Sequence, residues 1–221
     1  MINELRTGPT TSSDGSILTA RSDKQGAGVV TDAHLRMHEA NYRGTLFQFG
    51  ISSTALVAAN AVATGVTATA QPIIGVWNPA TSGVNLVIMK AIVSTTVVAN
   101  TAVAPGGFVW LSNINQASVT TGSVPFNCKT LAQTGSNAKA FACSTALTGL
   151  SGSLSTMRAC GLSSINAAGP ATAIHQPCPS IEELVDGSLI VPPGGVLAIM
   201  NQVSTTTISV NSGIVWEEVA I

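Results

Sequence analysis

Hydrophobic and polar residues alternate in short runs along most of the chain after residue 42, and glycine, proline and asparagine separate the runs. Successive side chains of a strand point to opposite faces, and β-branched residues favour strands, so this pattern predicts strands and not helices. The longest run, 84–98, joins Val, Ile, Leu and Met to a Thr- and Val-rich tail. The predicted strands are 42–50, 66–70, 73–77, 84–98, 108–111, 140–143, 154–160, 188–191, 196–200, 206–210 and 214–218.

Turn-forming residues mark several ends of these runs. Asn78-Pro79 stops the strand 73–77, and Pro192-Pro193-Gly194-Gly195 forces a reversal because proline fixes φ and glycine permits positive φ. Asp186-Gly187 and Asn211-Ser212-Gly213 predict two further turns. Ser180 followed three residues later by Glu183 has the spacing of a capping box and predicts one helical turn over 180–184.

These short strands, without a helix-length amphipathic pattern, predict an all-β sandwich or barrel. We favour a jelly-roll-like β-sandwich with two sheets, and an immunoglobulin-like sandwich is the second choice. The chain shows no internal repeat.

The first 43 residues differ from the rest in charge. They hold ten of the nineteen charged side chains but few large apolar ones, so they cannot close a core of their own. We therefore divide the chain into an extended N-terminal arm, 1–43, with one helical turn near 32–40, and a jelly-roll-like domain, 44–221. The arm is either a loose tail or a tether that becomes ordered on a partner.

The composition indicates a surface that is covered by other molecules. Hydrophobic residues make up 45% of the chain and charged residues only 9%, whereas soluble domains have roughly 25%. A monomer needs charge to stay soluble and to protect the edges of its sheets. The composition therefore predicts a subunit surrounded by copies or partners, and a monomer with a Ser/Thr/Asn surface is the alternative.

Other partners are disfavoured. A net charge of −1 gives no excess of cations for a phosphate backbone, and 4% aromatic residues are too few for a base-stacking platform, so we expect no nucleic acid. The most apolar window, 55–74, is interrupted by polar residues at strand spacing, which predicts a strand and no membrane span. The N-terminus has no basic-then-apolar signal, which predicts a soluble protein made without export.

The search for catalytic chemistry predicts a non-enzymatic protein with no catalytic residue, metal site or cofactor. The chain has no G-x-S-x-G and no glycine-rich phosphate loop with lysine, and His34 and His38 lie in H-L-R-M-H-E, which is not the H-E-x-x-H of a zinc protease. The acid pairs 182–183 and 217–218 point to opposite faces of a strand. Two acids from distant pairs would still allow a carbohydrate-active enzyme.

The remaining candidates are the cysteines and the tryptophans. Cys128, Cys143, Cys160 and Cys178 have no C-x-x-C pair, and they fit buried thiols, disulfides formed after release from a cell, or a zinc site that includes His175. Trp77, Trp110 and Trp216 lie in or at the ends of predicted strands. We expect them to pack in a core or interface, and exposed tryptophans would instead stack on sugars.

Three segments together resemble small β structural proteins encoded in tailed-phage genomes. They are Arg43-Gly44-Thr45-Leu46-Phe47, the W-N-P-x-x-S-G-x-x-L stretch at 77–86, and Phe108-Val109-Trp110. The Pro-Pro-Gly-Gly hairpin adds to the likeness, which covers residues 43–115 and leaves out the cysteine-bearing middle.

The resemblance implies a jelly-roll capsid cement (decoration) protein, commonly a homotrimer, whose arm reaches over neighbouring major capsid protein subunits. It would be assembled in the host cytoplasm and sit on the exterior of the virion. The arm cations would then contact acidic patches of the capsid: Arg6, Arg21, Lys24, Arg36 and Arg43. The alternative is a receptor- or glycan-binding head of a tail fibre or a collar component, but no heptad run provides a fibre stem.

Overall fold

The computed structural model describes residues 21–22, 28–29, 36–53, 72–97, 107–114, 116, 122–142, 154–162, 180–201 and 208–221. The predicted strand 66–70 lies outside these ranges. The chain divides into two units, Met1–His38 and Glu39–Ile221. In the first unit, β1 (Arg21–Ser22) pairs antiparallel with β2 (Gly28–Val29).

One helix, α1 (Arg36–Arg43), precedes the sandwich. The predicted helical turn near 32–40 is thus present over its described residues and extends further, while the predicted strand 42–50 starts only at residue 46. Gly44 stops the helix at φ 78°, where glycine has no Cβ to clash. The backbone N–H of Thr45 donates to the carbonyl of Ala40 at 3.0 Å, and the backbone N–H of Gly44 donates to the carbonyl of Asn41 at 2.9 Å. These two bonds form a Schellman motif.

In the described part of the chain, ten strands follow the helix and form two five-stranded antiparallel sheets. The first sheet has the order β10-β5-β12-β3-β7 and the second sheet β8-β4-β11-β6-β9. The strands are β3 (Leu46–Ser53), β4 (Ile74–Trp77), β5 (Val84–Val97), β6 (Gly107–Asn113), β7 (Phe126–Asn127), β8 (Lys139–Ala142), β9 (Ser155–Leu162), β10 (Ile181–Val191), β11 (Val196–Asn201) and β12 (Ile208–Ala220).

The strand order is that of a jelly roll. Leaving aside the short β7 and β8, the first strand pairs with the last (β3 with β12), the second with the seventh (β4 with β11), the third with the sixth (β5 with β10) and the fourth with the fifth (β6 with β9). A long hairpin rolled into two sheets has this pairing. The predicted all-β, jelly-roll-like β-sandwich is confirmed.

The main core lies between the two sheets and takes alternate residues from each. Phe47, Phe49, Ile88, Ile214 and Trp216 come from the first sheet. The second sheet contributes Ile74, Val76, Phe108, Trp110, Leu197 and Ile199, which belong to the same buried cluster. Burial of a large side chain stabilises a fold by roughly 1.5–3 kcal/mol, so this cluster is the main stabilising feature of the sandwich.

The second sheet is buried on its other face as well. Val109, Leu111, Val196, Ala198 and Met200 occupy the intervening positions of β6 and β11, and each is at most 3% exposed. Burial on both faces explains why 108–111 and 196–200 are continuous apolar runs without alternation. In the first sheet, by contrast, exposed and buried residues alternate along β10 and β12.

Three local predictions were wrong. Residues 181–184 form the start of β10 and not a helical turn, because they pair with β5 from Val93 to Lys90. The segment Asn211-Ser212-Gly213 is not a turn, since β12 continues through it with β5 on one side and β3 on the other. The Asp186-Gly187 signal marks a bulge within β10, where both residues have positive φ, and the strand then resumes against β5.

Candidate functional site

The five predicted arm cations are only partly within the described residues. Arg6 and Lys24 lie outside them. Arg21 is in β1 opposite Val29, and Arg36 is the first residue of α1. Arg43 is exposed in the last turn of that helix, where a positive charge is favourable for the helix dipole. The described residues therefore do not test whether the five form one site, and their binding role stays a prediction.

The W-N-P stretch and the Pro-Pro-Gly-Gly hairpin meet at Asn78. This fully buried side chain donates from Nδ2 to the carbonyl oxygens of Val84, at 2.8 Å, and Val191, at 2.9 Å. Its backbone N–H donates to Gly195 at 2.9 Å, and its carbonyl accepts from Gly194 at 2.7 Å. One asparagine thus joins the end of β4 to the start of β5, the end of β10 and the hairpin.

Two neighbours extend the same junction. The indole N–H of Trp77 donates to the backbone carbonyl of Gln116 at 3.4 Å. The backbone N–H of Gln116 donates to the carbonyl of Gly194 at 2.8 Å. Gln116 is completely buried. The W-N-P stretch and the Pro-Pro-Gly-Gly hairpin, which both contribute to the phage resemblance, therefore hold one end of the sandwich together and do not form a binding cleft.

Two of the three tryptophans are core residues. Trp110 and Trp216 are fully buried, and Trp216 lies 6.5 Å from the ring of Phe47, centroid to centroid. The indole of Trp110 donates to Glu183 Oε2 at 2.7 Å. Neither ring is available to stack on a sugar, so the predicted core role is confirmed for both.

An ion pair links the edge strands of the two sheets. Arg158 of β9 donates to Glu183 Oε1 of β10 at 2.5 Å, and the second oxygen of the same carboxylate holds Trp110. Edge strands risk pairing with other chains, and inward-pointing charges are one protection against this, because pairing in another register would bury a charge without a partner. This pair therefore closes the long edge of the sandwich.

Cys160 lies beside this ion pair. Burial raises the pKa of its thiol, a hydrogen bond and the negative charge of Glu183 raise it further, and Arg158 lowers it in part. Burial also raises the pKa of the Cys128 thiol. Both are free thiols, whereas Cys143 and Cys178 lie outside the described residues.

We expect Cys160 to react slowly with iodoacetamide at pH 8.5 in the folded protein and at the normal rate in urea, because only the thiolate is nucleophilic. The folded state binds the thiol proton more tightly than the unfolded state. The resulting stabilisation is complete below the unfolded pKa of about 8.5 and is lost as the pH rises above it. Peptide mapping distinguishes the modified cysteines from one another. Equal rates of Cys160 modification in the folded protein and in urea would contradict the expectation.

The acidic and histidine candidates do not converge. Glu182 faces outward and pairs with Lys90 at 2.5 Å, while its neighbour Glu183 faces Arg158. His38 is exposed in α1, whereas His34 and His175 lie outside the described residues. Among the residues that the structure describes, no three His, Cys, Asp or Glu side chains could hold a metal ion.

Sequence reasoning missed the role of Glu218. This carboxylate is only 7% exposed. It accepts from Ser136 Oγ at 2.6 Å, from the backbone N–H of Asn137 at 3.1 Å, from Asn137 Nδ2 at 2.9 Å and from the N–H of Ala138 at 3.4 Å. The loop before β8 is thereby fixed to β12. No local sequence signal reveals the contacts of Glu218. The ion-pairing residue Arg158 could have been noticed, because it is the single Lys or Arg between residues 140 and 181.

The outer face of the first sheet is a candidate interaction surface in the described part of the chain. Gly213 of β12 stands opposite Gly50 of β3, and neither places a side chain over the sheet. Between them and their neighbours lies a depression of about 370 Å³. Its outward-facing walls come from Gln48, Lys90, Ile92, Phe126 and Val215. Apolar side chains that are exposed on the same face are Leu184 (63%), Ile190 (56%), Val219 (40%) and Phe126 (38%).

This face carries little uncompensated charge near the depression. Lys90 lies in its middle, and the pairing with Glu182 compensates it within the chain. A half-exposed ion pair adds at most about 1 kcal/mol, so its main effect here is to compensate the charge of Lys90 at the depression. The arrangement suits contact with another protein surface better than binding of a charged small ligand.

No helix in the described ranges has the length and apolar character needed to cross a membrane. Comparison of the chain with protein-family models, curated proteins and solved structures gives no match.

Proposed function

We propose that this chain is a structural subunit of a virus particle that decorates and stabilises a tailed-phage capsid as a cement protein. The observation that supports this most is the outer face of the first sheet, which exposes Leu184, Ile190 and Val219 and also contains a glycine-floored depression. Exposed apolar surface of this kind is characteristic of contact sites. A chain with 9% charged residues has little else to keep such a face soluble.

The fold is compatible with this role. Jelly rolls serve in viral capsids, but they also serve in lectins and in enzymes, so the fold alone carries no function. A cement protein binds many equivalent sites, and repetition adds avidity to modest single contacts. In this proposal the major capsid protein is the partner, the chain is a homotrimer, and it lies on the exterior of the capsid.

The experiment that tests this is the stoichiometry of purified particles. Quantitative mass spectrometry should find on the order of hundreds of copies of this chain per particle, in a fixed ratio to the major capsid protein, because a cement protein occupies symmetric sites. A few tens of copies or fewer would place it in the tail or collar. Absence from the particle would overturn the proposal.

The native mass gives a second check. One subunit is 22.3 kDa, and a homotrimer should be measured at three times that mass by light scattering. A subunit that stays monomeric at high concentration and does not bind capsids would contradict both the trimer and the decoration role.

A further inference from the structure

Leu131 combines two features that an isolated chain has no reason to keep. Its backbone has a φ of 59°, in the left-handed region that costs an L-residue free energy and that glycine or asparagine normally occupies. Its side chain is 71% exposed, so packing within this chain offsets little of the free-energy cost of the positive φ. A residue with a strained backbone whose side chain does not stabilise its own fold is a candidate for a functional role.

The turn around Leu131 is fixed by Asn127 and not by the leucine. Asn127 is 8% exposed, and its Oδ1 accepts the amides of Lys129, at 2.9 Å, and Thr130, at 3.2 Å. Its Nδ2 donates to the carbonyl of Gly44 at 2.8 Å. The amide of Leu131 donates to the Asn127 carbonyl at 2.8 Å. The backbone conformation is therefore imposed whatever side chain residue 131 carries.

Lys129 is held in place next to Tyr42. Its ammonium lies 5.1 Å from the centre of the Tyr42 ring and donates to the Tyr42 carbonyl at 2.7 Å. A carbonyl and an aromatic face thus hold this cation, and neither carries the full negative charge of a carboxylate. Tyr42 itself is 65% exposed.

We call Tyr42, Lys129 and Leu131 the Leu131 surface, because Lys129 contacts Tyr42 and lies in the same turn as Leu131. Its apolar part is exposed, its turn is rigid, and its cation is positioned in advance. A rigid, pre-organised contact loses little entropy on binding, which favours affinity. Interfaces commonly concentrate their binding energy in a few such anchors surrounded by a polar rim.

We propose that the Leu131 surface docks on another protein, at a place where an apolar pocket for Leu131 is bordered by carboxylates that reach Lys129. Because Lys129 is positively charged, a complementary partner surface carries negative charge at this place. The inference rests on the proposed function in one respect, since it takes the capsid subunit as that partner. It deepens the function by naming the contact, which combines Tyr42, at the end of the predicted arm, with the turn that carries Lys129 and Leu131.

The test is the binding of purified Leu131→Gly protein to capsids assembled without this chain. Glycine removes the anchor and accepts the positive φ, so Tm should stay the same or rise, whereas the dissociation constant should increase about 10-fold or more. Lys129→Gln should also weaken binding, and its effect should shrink at high salt because screening weakens charge pairing.

Two control variants separate the contact from general effects. Ile114→Ser removes an exposed apolar side chain just after β6 of the second sheet, and Asp186→Gly relieves another positive φ. Both should bind capsids like the wild type. If wild-type protein does not bind capsids, the proposed function fails and this contact with it. If wild-type and Leu131→Gly proteins bind equally, the contact alone is wrong. A changed native mass with unchanged capsid binding would overturn it in favour of a second copy of this chain as the occupant.

Discussion

Replacing Asn78 by alanine is expected to lower the free energy of unfolding by about 2–4 kcal/mol. The substitution leaves the carbonyl oxygens of Val84 and Val191 without the bonds they accept at 2.8 and 2.9 Å in a buried site. An unsatisfied buried acceptor costs more than the net value of the bond, and a small cavity adds to the loss. Urea denaturation followed by tryptophan fluorescence measures the effect.

Asn211→Ala is the matched control for this prediction, because Asn211 is an exposed asparagine in the middle of β12. We expect its change in stability to stay within about 0.5 kcal/mol. Asn78→Asp keeps the shape but replaces the Nδ2 donor by an acceptor, so it should destabilise the fold at least as much as alanine. Equal stability of Asn78→Ala and Asn211→Ala would show that the junction does not hold the sandwich together.

Replacing Glu218 by alanine is expected to destabilise the fold by about 2–3 kcal/mol, since hydrogen bonds to a charged group are among the stronger ones. The loss should be local at first. Without the carboxylate, Ser136 and Asn137 no longer hold the loop before β8 against β12. Hydrogen exchange should therefore increase in 134–142 before it increases in β5 or β12.

Glu217→Ala is the control for that variant. The neighbouring Glu217 side chain is on the other face of β12 and is partly exposed. A smaller effect, below about 1 kcal/mol, is expected for a surface charge. If both variants lose the same stability, or if exchange rises evenly over both sheets, the specific role of Glu218 is wrong.

Much of the fold could be predicted from local chemistry. The run of β-branched residues that became β5 needs no partner to be recognised as a strand. Asn78-Pro79 and Pro192-Pro193-Gly194-Gly195 act through their own backbone restrictions, so they turn the chain wherever the rest of it lies. The choice of a jelly roll also held, because strand number and turn spacing leave few sandwich topologies.

The errors arose where tertiary pairing overrides a local signal. Ser180 and Glu183 have capping-box spacing, but the Glu183 carboxylate is taken by Trp110 and Arg158. A turn at Asn211-Ser212-Gly213 would have cost β12 its hydrogen bonds to two neighbouring strands at once. A single sequence does not contain these long-range partners in readable form.

The candidate site was predicted less well than the fold. The arm cations were chosen by charge alone, and only Arg43 has a described side-chain environment. Leu131 was not singled out, since an exposed leucine is recognisable only when its φ and its exposure are both known. The Glu218 contacts join residues 80 to 82 positions apart, which is beyond any motif.

The pairing of β3 with β12 has a consequence for synthesis of the chain. These neighbours in the first sheet come from the two ends of the sandwich sequence, and β12 is also the central strand that β5 requires. Such long-range pairing makes folding slow. The ribosome must release residues 208–220 before the first sheet can close, so the growing chain carries open, apolar strand edges until the end. Recombinant production should therefore improve at low temperature or with a chaperone that shields unpaired strands.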